Sequence, residues 1–224
     1  MKNSLRSKFL AAAFGAAALL LSTASSYAQN FHVTIDTSAL TSFANGANAP
    51  FSLDFQLNSG LTLNNNTAVI SNFSFLGGGS PFGTETLIGG ASGSLASTIT
   101  LSDTNAFNEF FQSFIAGNII GFDVSLTHNL DAGPTPDGFF IGLLDNNLFN
   151  IPTTGLGDTL LAVNIDSNGV ISYGQGTGTY QGVSVSITPI PEPATYGLVS
   201  AALALTAVVV RRRRQSVASV KAAA

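Results

Sequence analysis

Carboxylates are the largest group of charged side chains in this 224-residue chain, and four of them stand in turn-like stretches rich in Asn and Gly. They are Asp131, Asp137, Asp145 and Asp166, in the segments DAGPTPDG, DNNLFN and DSNG. Hard cations such as calcium prefer carboxylate, amide and carbonyl oxygens of this kind. Asp and Asn also form Asx-turns and tolerate unusual backbone angles, and none of these segments follows the EF-hand spacing. We therefore predict turns at these positions, keep calcium as the alternative, and expect no other cofactor.

Catalysis by a nucleophilic side chain has little support in the sequence. The chain has no Cys, and its two histidines, His32 and His128, are accompanied by no G-x-S-x-G motif. A glycosidase needs two facing carboxyl groups, and Glu85 and Glu109 are the only Glu residues between positions 29 and 190. Without Arg, Lys or Trp there to line a sugar subsite, we predict no enzyme and keep a polysaccharide hydrolase as the less favoured alternative.

Charge is divided sharply along the chain. All eight Lys and Arg residues lie before position 9 or after position 210, whereas eleven of the twelve acidic residues lie between positions 29 and 190. A region without positive side chains does not neutralise phosphates, so nucleic acid is not expected as a partner. The absence of Cys also means that no disulfide supports the fold, and stability must come from packing.

The C-terminal part contains an apolar run, Ala194–Val210, of seventeen uncharged residues. It is followed by four arginines: Arg211, Arg212, Arg213 and Arg214. The run is at the short limit for a membrane-spanning helix, and a buried core helix is the alternative. Because its few polar residues are scattered around the helix, we predict a transmembrane helix whose Arg cluster stays in the cytoplasm. Everything before Pro191 then lies outside the cytoplasm, and residues 215–224 form a cytoplasmic tail.

The N-terminal segment Met1–Ala28 has the layout of a secretory signal peptide. Three positive residues precede its apolar core: Lys2, Arg6 and Lys8. The apolar core, Phe9–Leu21, is shorter than a membrane span, and small residues stand at the end of the segment. We predict cleavage after Ala28, with an uncleaved N-terminal anchor as the alternative.

Together, the two ends resemble those of exported proteins that carry a PEP-CTERM sorting segment, an arrangement found in many Gram-negative bacteria. The resemblance rests on Pro191, Glu192 and Pro193, followed by the apolar run and the Arg cluster. It implies recognition by an exosortase, a membrane cysteine protease, and processing at or near the Pro-Glu-Pro step. The tail Gln215–Ala224 is a departure, since such segments commonly stop soon after the basic cluster.

The resemblance also indicates where the protein goes and what it does. We expect an exported domain at 29–190 that is held briefly in the inner membrane and then reaches the outer surface or extracellular matrix. The leading hypothesis is a non-enzymatic surface or matrix protein associated with exopolysaccharide or biofilm. Its expected partners are the exosortase, the membrane before processing, and extracellular polysaccharide. A glycan-binding module with a jelly-roll fold is the alternative.

Strict alternation of apolar and polar residues recurs along the region 29–190 and predicts about nine half-buried strands. Their segments are FHVTID, FSLDFQL, AVISNFSF, SLASTITL, IIGFDVSL, GFFIGLL, LLAVNID, GVISY and GVSVSI. Turn signals between them, such as Asn45-Gly46, Ser59-Gly60, Asp137-Gly138 and Asn168-Gly169, favour antiparallel pairing. We therefore predict an all-β antiparallel sandwich of jelly-roll type.

One segment, NAFNEFFQSFIAG, has a different period. Its aromatic residues Phe107, Phe110, Phe111 and Phe114 follow the i, i+3, i+4, i+7 spacing of one helical face. We predict a short helix or bent strand that covers one end of the core. An exposed aromatic patch for a partner is the alternative.

Overall fold

The computed structural model describes residues 29–43, 50–60, 63–130, 135–166, 169, 171–191, 197, 200–209 and 211. Residues Tyr27–Ile190 form one compact unit, and every strand of the described residues lies in it. The signal segment with Ala28, the residues Glu192 and Pro193, and Arg212–Arg214 lie outside the described residues.

Thirteen β-strands and two short 3-10 helices make up the described part of this unit. The strands are β1 (Gln29–Asp36), β2 (Phe51–Asn58), β3 (Thr67–Leu76), β4 (Ser80–Pro81), β5 (Thr86–Ile88), β6 (Gly90–Ser92), β7 (Ile99–Ser102), β8 (Phe107–Ile115), β9 (Ile119–Leu126), β10 (Asp137–Leu144), β11 (Leu161–Ile165), β12 (Ile171–Tyr173) and β13 (Ser184–Pro189). The 3-10 helices are Ser38–Phe43 and Gly178–Tyr180.

The strands form two antiparallel sheets. Sheet A has the order β13-β1-β9-β3-β7-β6, and sheet B has the order β12-β11-β10-β2-β8-β4, with β5 also paired to β8. Alternate side chains of both sheets meet in one hydrophobic cluster between them. The predicted all-β antiparallel sandwich is therefore confirmed.

Phe55 of β2 joins the two sheets at the centre of the core. Its ring centroid lies 5.3 Å from that of Phe122 and 6.2 Å from that of Phe73, both in sheet A. Both contacts are edge-on, a geometry that stabilises by about 0.5–1.5 kcal/mol beyond the burial of the rings. Aromatic packing thus links the two sheets in a domain that has no Cys to form a disulfide.

The nine segments with alternating patterns all contain strands, as predicted, but β2 and β10 are buried on both faces rather than half-buried. Two further details differ. Leu95 lies in a turn before β7, and Asp137-Gly138, predicted as a turn, begins β10. Asp137 pairs with Ile165 of β11, so the strand already starts at this residue.

The segment Phe107–Ile115 is a strand within sheet B, so the predicted helix, and the predicted position over one end of the core, are wrong. β8 lies within sheet B between β2 and β4. Phe110 and Phe114 are fully buried, whereas Phe107 is 43% exposed, so the aromatic residues do not share a face. Burial instead alternates residue by residue along the strand.

In the sequence, two buried amide side chains interrupt the apolar-polar alternation that would indicate this strand. Asn108 and Gln112 take inward positions that an apolar pattern would fill with Val or Leu. Asn108 accepts a hydrogen bond from the Gly90 N–H at 2.9 Å and donates to the Leu57 carbonyl at 3.0 Å. Gln112 accepts from the Leu95 N–H at 2.8 Å. The amides therefore bind main-chain groups of neighbouring segments, which makes polar residues tolerable inside the sandwich.

The C-terminal unit is described only in part. Residues 200–209 are helical and exposed, and Arg211 is helical. Among the described residues, no helix is both long and apolar enough to cross a membrane. The span Ala194–Val210 stays a prediction, because several of its residues lie outside the described part.

We predict that Asn108→Ala lowers the free energy of unfolding by about 2–4 kcal/mol, because it leaves the Gly90 N–H and the Leu57 carbonyl without their partner. Urea denaturation measures the change. The matched control is Asn147→Ala, an exposed amide, which should change stability by less than about 0.5 kcal/mol. Equal losses in the two variants would contradict a structural role for the buried amide.

Candidate functional site

Two of the four aspartates considered for calcium make Asx-turns. The Asp145 Oδ1 accepts hydrogen bonds from the main-chain N–H groups of Asn147 at 2.8 Å and Phe149 at 3.0 Å. The Asp166 Oδ1 accepts from the Gly169 N–H at 2.9 Å. These contacts are the turn interactions predicted for such residues.

Asp137 connects two segments at one end of the sandwich. Its Oδ1 accepts from the Gly60 N–H at 2.6 Å, and its Oδ2 accepts from the Asn66 side-chain amide at 2.7 Å. Asp145 lies at the opposite end of β10, and Asp131 falls outside the described residues. The structure therefore separates Asp145 from Asp137, whereas Asp166 directly follows Ile165, the residue opposite Asp137. In the described part of the chain, no three His, Cys, Asp or Glu side chains converge as a metal cluster.

The two histidines take part in separate contacts. His32 Nδ1 lies 2.6 Å from Asp123 Oδ1, and Asp123 Oδ2 accepts from the Asn72 side chain at 2.7 Å. Burial raises the pKa of Asp123, but the hydrogen bonds from Asn72 and His32 and the charge of His32 together hold it below its usual value. The Ser74 hydroxyl on the same face donates to the Gly121 carbonyl at 3.3 Å, so it completes no Ser-His-Asp triad in these contacts.

His128 lies in the segment after β9. Its Nε2 is 2.6 Å from the carbonyl oxygen of Asp166, which links this segment to the end of β11. The contact is to the main chain and involves no hydroxyl nucleophile.

A pair of carboxyl groups, which the sequence analysis did not single out, lies on the outer face of sheet B. Asp54 of β2 and Glu109 of β8 are joined by Gln56, whose Nε2 donates to Asp54 Oδ2 at 2.8 Å and to Glu109 Oε1 at 3.2 Å. Gln56 lies directly opposite Glu109 in the β2–β8 register. Asp54 is only 2% exposed, and its Oδ1 has no hydrogen-bond partner among the described residues. We call this group the carboxyl pair.

The surroundings of the carboxyl pair make both groups weaker acids than free carboxyl groups. Burial and, next, the negative charge of Glu109 raise the pKa of Asp54 to about 7, and burial also raises the pKa of Glu109. The contact between the two groups raises the pKa of Asp54 and lowers that of Glu109. No Lys or Arg between positions 9 and 210 offers a counter-charge. Protonation is therefore how this site is neutralised within the chain.

Apolar and small residues surround the carboxyl pair on the same face. Phe140 and Gly142 of β10 lie opposite Gln56 and Asp54, and Phe111 of β8 lies opposite Asp54 on the other side. A Cβ at Gly142 would stand 2.9 Å from the side-chain oxygen of Asn150. Because Gly142 has no side chain, the Asn150 side chain can lie against the sheet beside Asp54.

The geometry limits what chemistry the carboxyl pair can do. A glycosidase places its two carboxyl groups on opposite sides of a sugar, about 5–10 Å apart, with access for the substrate. Asp54 and Glu109 instead lie on one face of one sheet, bridged by a single amide. Because Asp54 is enclosed, Glu109 is the member of the pair that is accessible to a ligand.

Spacing in the sequence gives little indication of this site. The alternation in FSLDFQL is enough to place Asp54 and Gln56 on the same face of β2. Glu109 joins them only when the segment around it is recognised as a strand adjacent to β2. Because the segment that forms β8 was predicted to be helical, its pairing with β2 was not expected.

The fold and the carboxyl pair define an all-β sandwich protein with two amide-bridged carboxyl groups on one outer face. Comparison with known proteins adds no relative, since no family model, curated protein or solved structure matches the chain.

We predict that the carboxyl pair makes stability fall as pH rises. The pKa of Asp54 is about 7 in the folded state, above its ordinary value of 3.8. Protonated Asp54 therefore stabilises the folded state relative to the unfolded one. This contribution is complete below pH 4 and is lost as pH rises to 7. The loss should be about 2–4 kcal/mol in the free energy of unfolding. Asp54→Asn keeps the hydrogen-bonding shape and should remove most of this dependence, so the variant is more stable than the parent at pH 8.

Denaturant unfolding at pH 4 to 8 measures the effect, and Asp158→Asn, at an exposed position, is the control that should keep the dependence of the parent. If Asp54→Asn and the parent lose stability in parallel over this range, the carboxyl pair is not the group that titrates.

Proposed function

We propose that the protein is exported, sorted through its C-terminal segment and delivered to the outer surface or extracellular matrix, where its role is structural rather than catalytic. The observation that carries the proposal is the order of Pro191-Glu192-Pro193, the apolar run and the Arg cluster, together with a signal-like N-terminus. The exosortase and the inner membrane are the partners before processing. Extracellular polysaccharide or biofilm material is the partner of the delivered domain.

The charge distribution supports export. Every Lys and Arg of the chain lies in the two terminal segments, where positive residues set orientation at the membrane. The region between them has none and presents mostly uncharged polar residues and acids. Its net negative charge favours solubility outside the cell.

We also propose that the sandwich is of jelly-roll type. In such a fold the last strand of the motif lies between the first and the third, and the strand before it lies between the second and the fourth. The position of β9 between β1 and β3, and of β8 between β2 and β4, supports this arrangement. Strands β10 to β13 would then extend the two sheets at the β2 and β1 edges.

A second candidate function is a glycan-binding module, and the outer face of sheet B is the observation that favours it. Phe107 is 43% exposed and lies in β8, two residues before Glu109 and so on the same face. Aromatic rings stack on the apolar faces of sugars, while carboxyl and amide oxygens accept hydrogen bonds from hydroxyl groups. With no positive side chain nearby, the ligand would be a neutral or positively charged glycan rather than an anionic one.

The sorting proposal predicts the ends of the mature protein. Surface material should begin at Gln29 and lack the Arg cluster, because the segment after Pro191 is removed. Mass spectrometry needs chymotrypsin for this test, since trypsin has no site between Lys8 and Arg211. Replacing Pro191, Glu192 and Pro193 by Ala should keep the Arg cluster attached and the protein in the membrane fraction.

The matched control is deletion of Gln215–Ala224, which should leave this processing unchanged. Surface peptides that run intact from Val210 into Arg211 would refute removal of the segment.

The glycan-binding alternative predicts selective binding of the purified 29–190 fragment on a glycan array. Phe107→Ala and Glu109→Gln should each weaken binding by about tenfold, because a stacking or hydrogen-bonding contact is worth about 1–1.5 kcal/mol. Phe149→Ala, at an exposed ring in the loop after β10, is the control and should bind as the parent does. Binding that is absent, or unaffected by both test variants, excludes this face as a glycan site.

A further inference from the structure

The carboxyl pair on the outer face of sheet B has no positive side chain beside it. The Gln56 amide, which is neutral, bridges Asp54 at 2.8 Å and Glu109 at 3.2 Å. No Lys or Arg stands between positions 9 and 210, and the hydrogen bonds described for the two histidines go to other groups. A positive group that compensates the ionised carboxyl pair would therefore have to come from another molecule.

Two oxygen atoms on this face lack a hydrogen-bond donor. Asp54 Oδ1 and Asn58 Oδ1 are both enclosed and have no hydrogen-bond partner among the described residues. Asp54, Gln56 and Asn58 alternate with the inward residues of β2, so they share its outer face. Because the two oxygen atoms are enclosed, they add negative potential to the face, and the half-buried Glu109 is the carboxyl group that a ligand can contact.

Aromatic residues flank Glu109 along its own strand. Phe107 and Phe111 stand two residues before and two residues after it, so all three side chains leave β8 on the same face. Phe111 lies opposite Asp54 in the strand register, and Phe107 lies opposite Asn58. The face of an aromatic ring attracts an ammonium group within about 6 Å. A carboxyl group between two such residues is therefore a favourable place for an organic cation.

Phe140 extends this aromatic border to the other side of β2. Its ring lies over Gly138, since a Cβ at Gly138 would stand 2.6 Å from the ring atom Cε2. Gly138 is opposite Asn58, and Asn58 is opposite Phe107 on its other side. Aromatic residues thus lie on both sides of Asn58, across three neighbouring strands. A sheet face of this kind suits an extended chain of sugars that lies along it.

A metal ion fits this face less well than an ammonium group does. Calcium takes six to eight oxygen ligands, whereas here the Gln56 N–H group lies between the two carboxyl groups and phenylalanines flank Glu109. Within the described ranges, no three His, Cys, Asp or Glu side chains form a metal cluster. An ammonium group needs only a carboxylate and ring faces around it.

We propose that this face binds an amino group of a positively charged glycan, with Glu109 as the carboxylate that contacts the ammonium and Phe107 and Phe111 as its aromatic neighbours. The inference rests on the glycan-binding function proposed above, and it narrows the ligand to glycans whose sugars carry free amino groups. An ammonium group donates three hydrogen bonds and accepts none, which suits a face with unpaired acceptor oxygens.

Isothermal titration calorimetry of the full chain at pH 7 with two matched tetrasaccharides tests the inference. One consists of glucosamine with free amino groups, and the other of N-acetylglucosamine, which is neutral. The parent should bind the amino form at least about tenfold more tightly, because acetylation removes the ion pair and the cation–π contacts.

Three variants locate this preference. Glu109→Gln keeps the size of the side chain and should abolish the preference for the amino form. Phe111→Leu keeps an apolar side chain without a ring and should reduce the preference by about threefold. The control is Asp158→Asn, which removes the same charge at an exposed position elsewhere and should keep the preference in full. A preference that survives Glu109→Gln would overturn the inference.

The outcomes separate the ligand class from glycan binding itself. Equal binding of the two tetrasaccharides would overturn the preference for amino sugars and leave glycan binding intact. Binding of neither would overturn the inference as well, and the glycan array then decides whether the glycan-binding function falls with it. Tetralysine carries amino groups without sugar rings, so it should bind at least about tenfold more weakly than the glucosamine tetrasaccharide. Equal or tighter binding of tetralysine would assign the face to a basic protein instead.

Discussion

The packing of sheet A against sheet B around Phe55 is the interaction on which the rest of the structure depends. The region 29–190 has no Cys and no Lys or Arg, so neither disulfides nor Lys and Arg ion pairs support it. Burial of apolar surface, worth about 25 cal/mol per Å², is the main stabilising term left. The β2–β8 pairing that positions Phe55 for the core also places Asp54 beside Glu109 on the opposite face. Core and acidic site are thus two faces of one strand pair.

The missing positive charges impose a second constraint, because each buried acid needs another way to be stabilised. Asp137 uses a main-chain N–H and an amide side chain, whereas Asp123 uses His32 and Asn72. For Asp54, burial and the negative charge of Glu109 raise the pKa to about 7, so protonation becomes accessible near neutral pH.

Most of the fold could be predicted from the sequence, since the alternation in segments such as FHVTID directly reflects one buried and one exposed face. β8 could not, because Asn108 and Gln112 occupy inward positions and only their long-range partners make them suitable there. The short strands β4, β5 and β6 are too brief to show a period. The carboxyl pair depends on strand register between residues far apart in the chain, which no local pattern encodes.

The first and last strands of the sandwich are neighbours in sheet A. β1 and β13 run antiparallel, with Phe31 opposite Pro189, and the Ile190 N–H donates to the Asn30 carbonyl at 2.9 Å. Both ends of the domain therefore leave from the same end of one strand pair. The hydrogen bonds of an antiparallel pair lie across the strands, so a pulling force between these two ends would meet them one after another rather than all at once. The hydrogen bonds between β1 and β13 should therefore break in sequence from the termini, and the domain should offer little mechanical resistance in that direction.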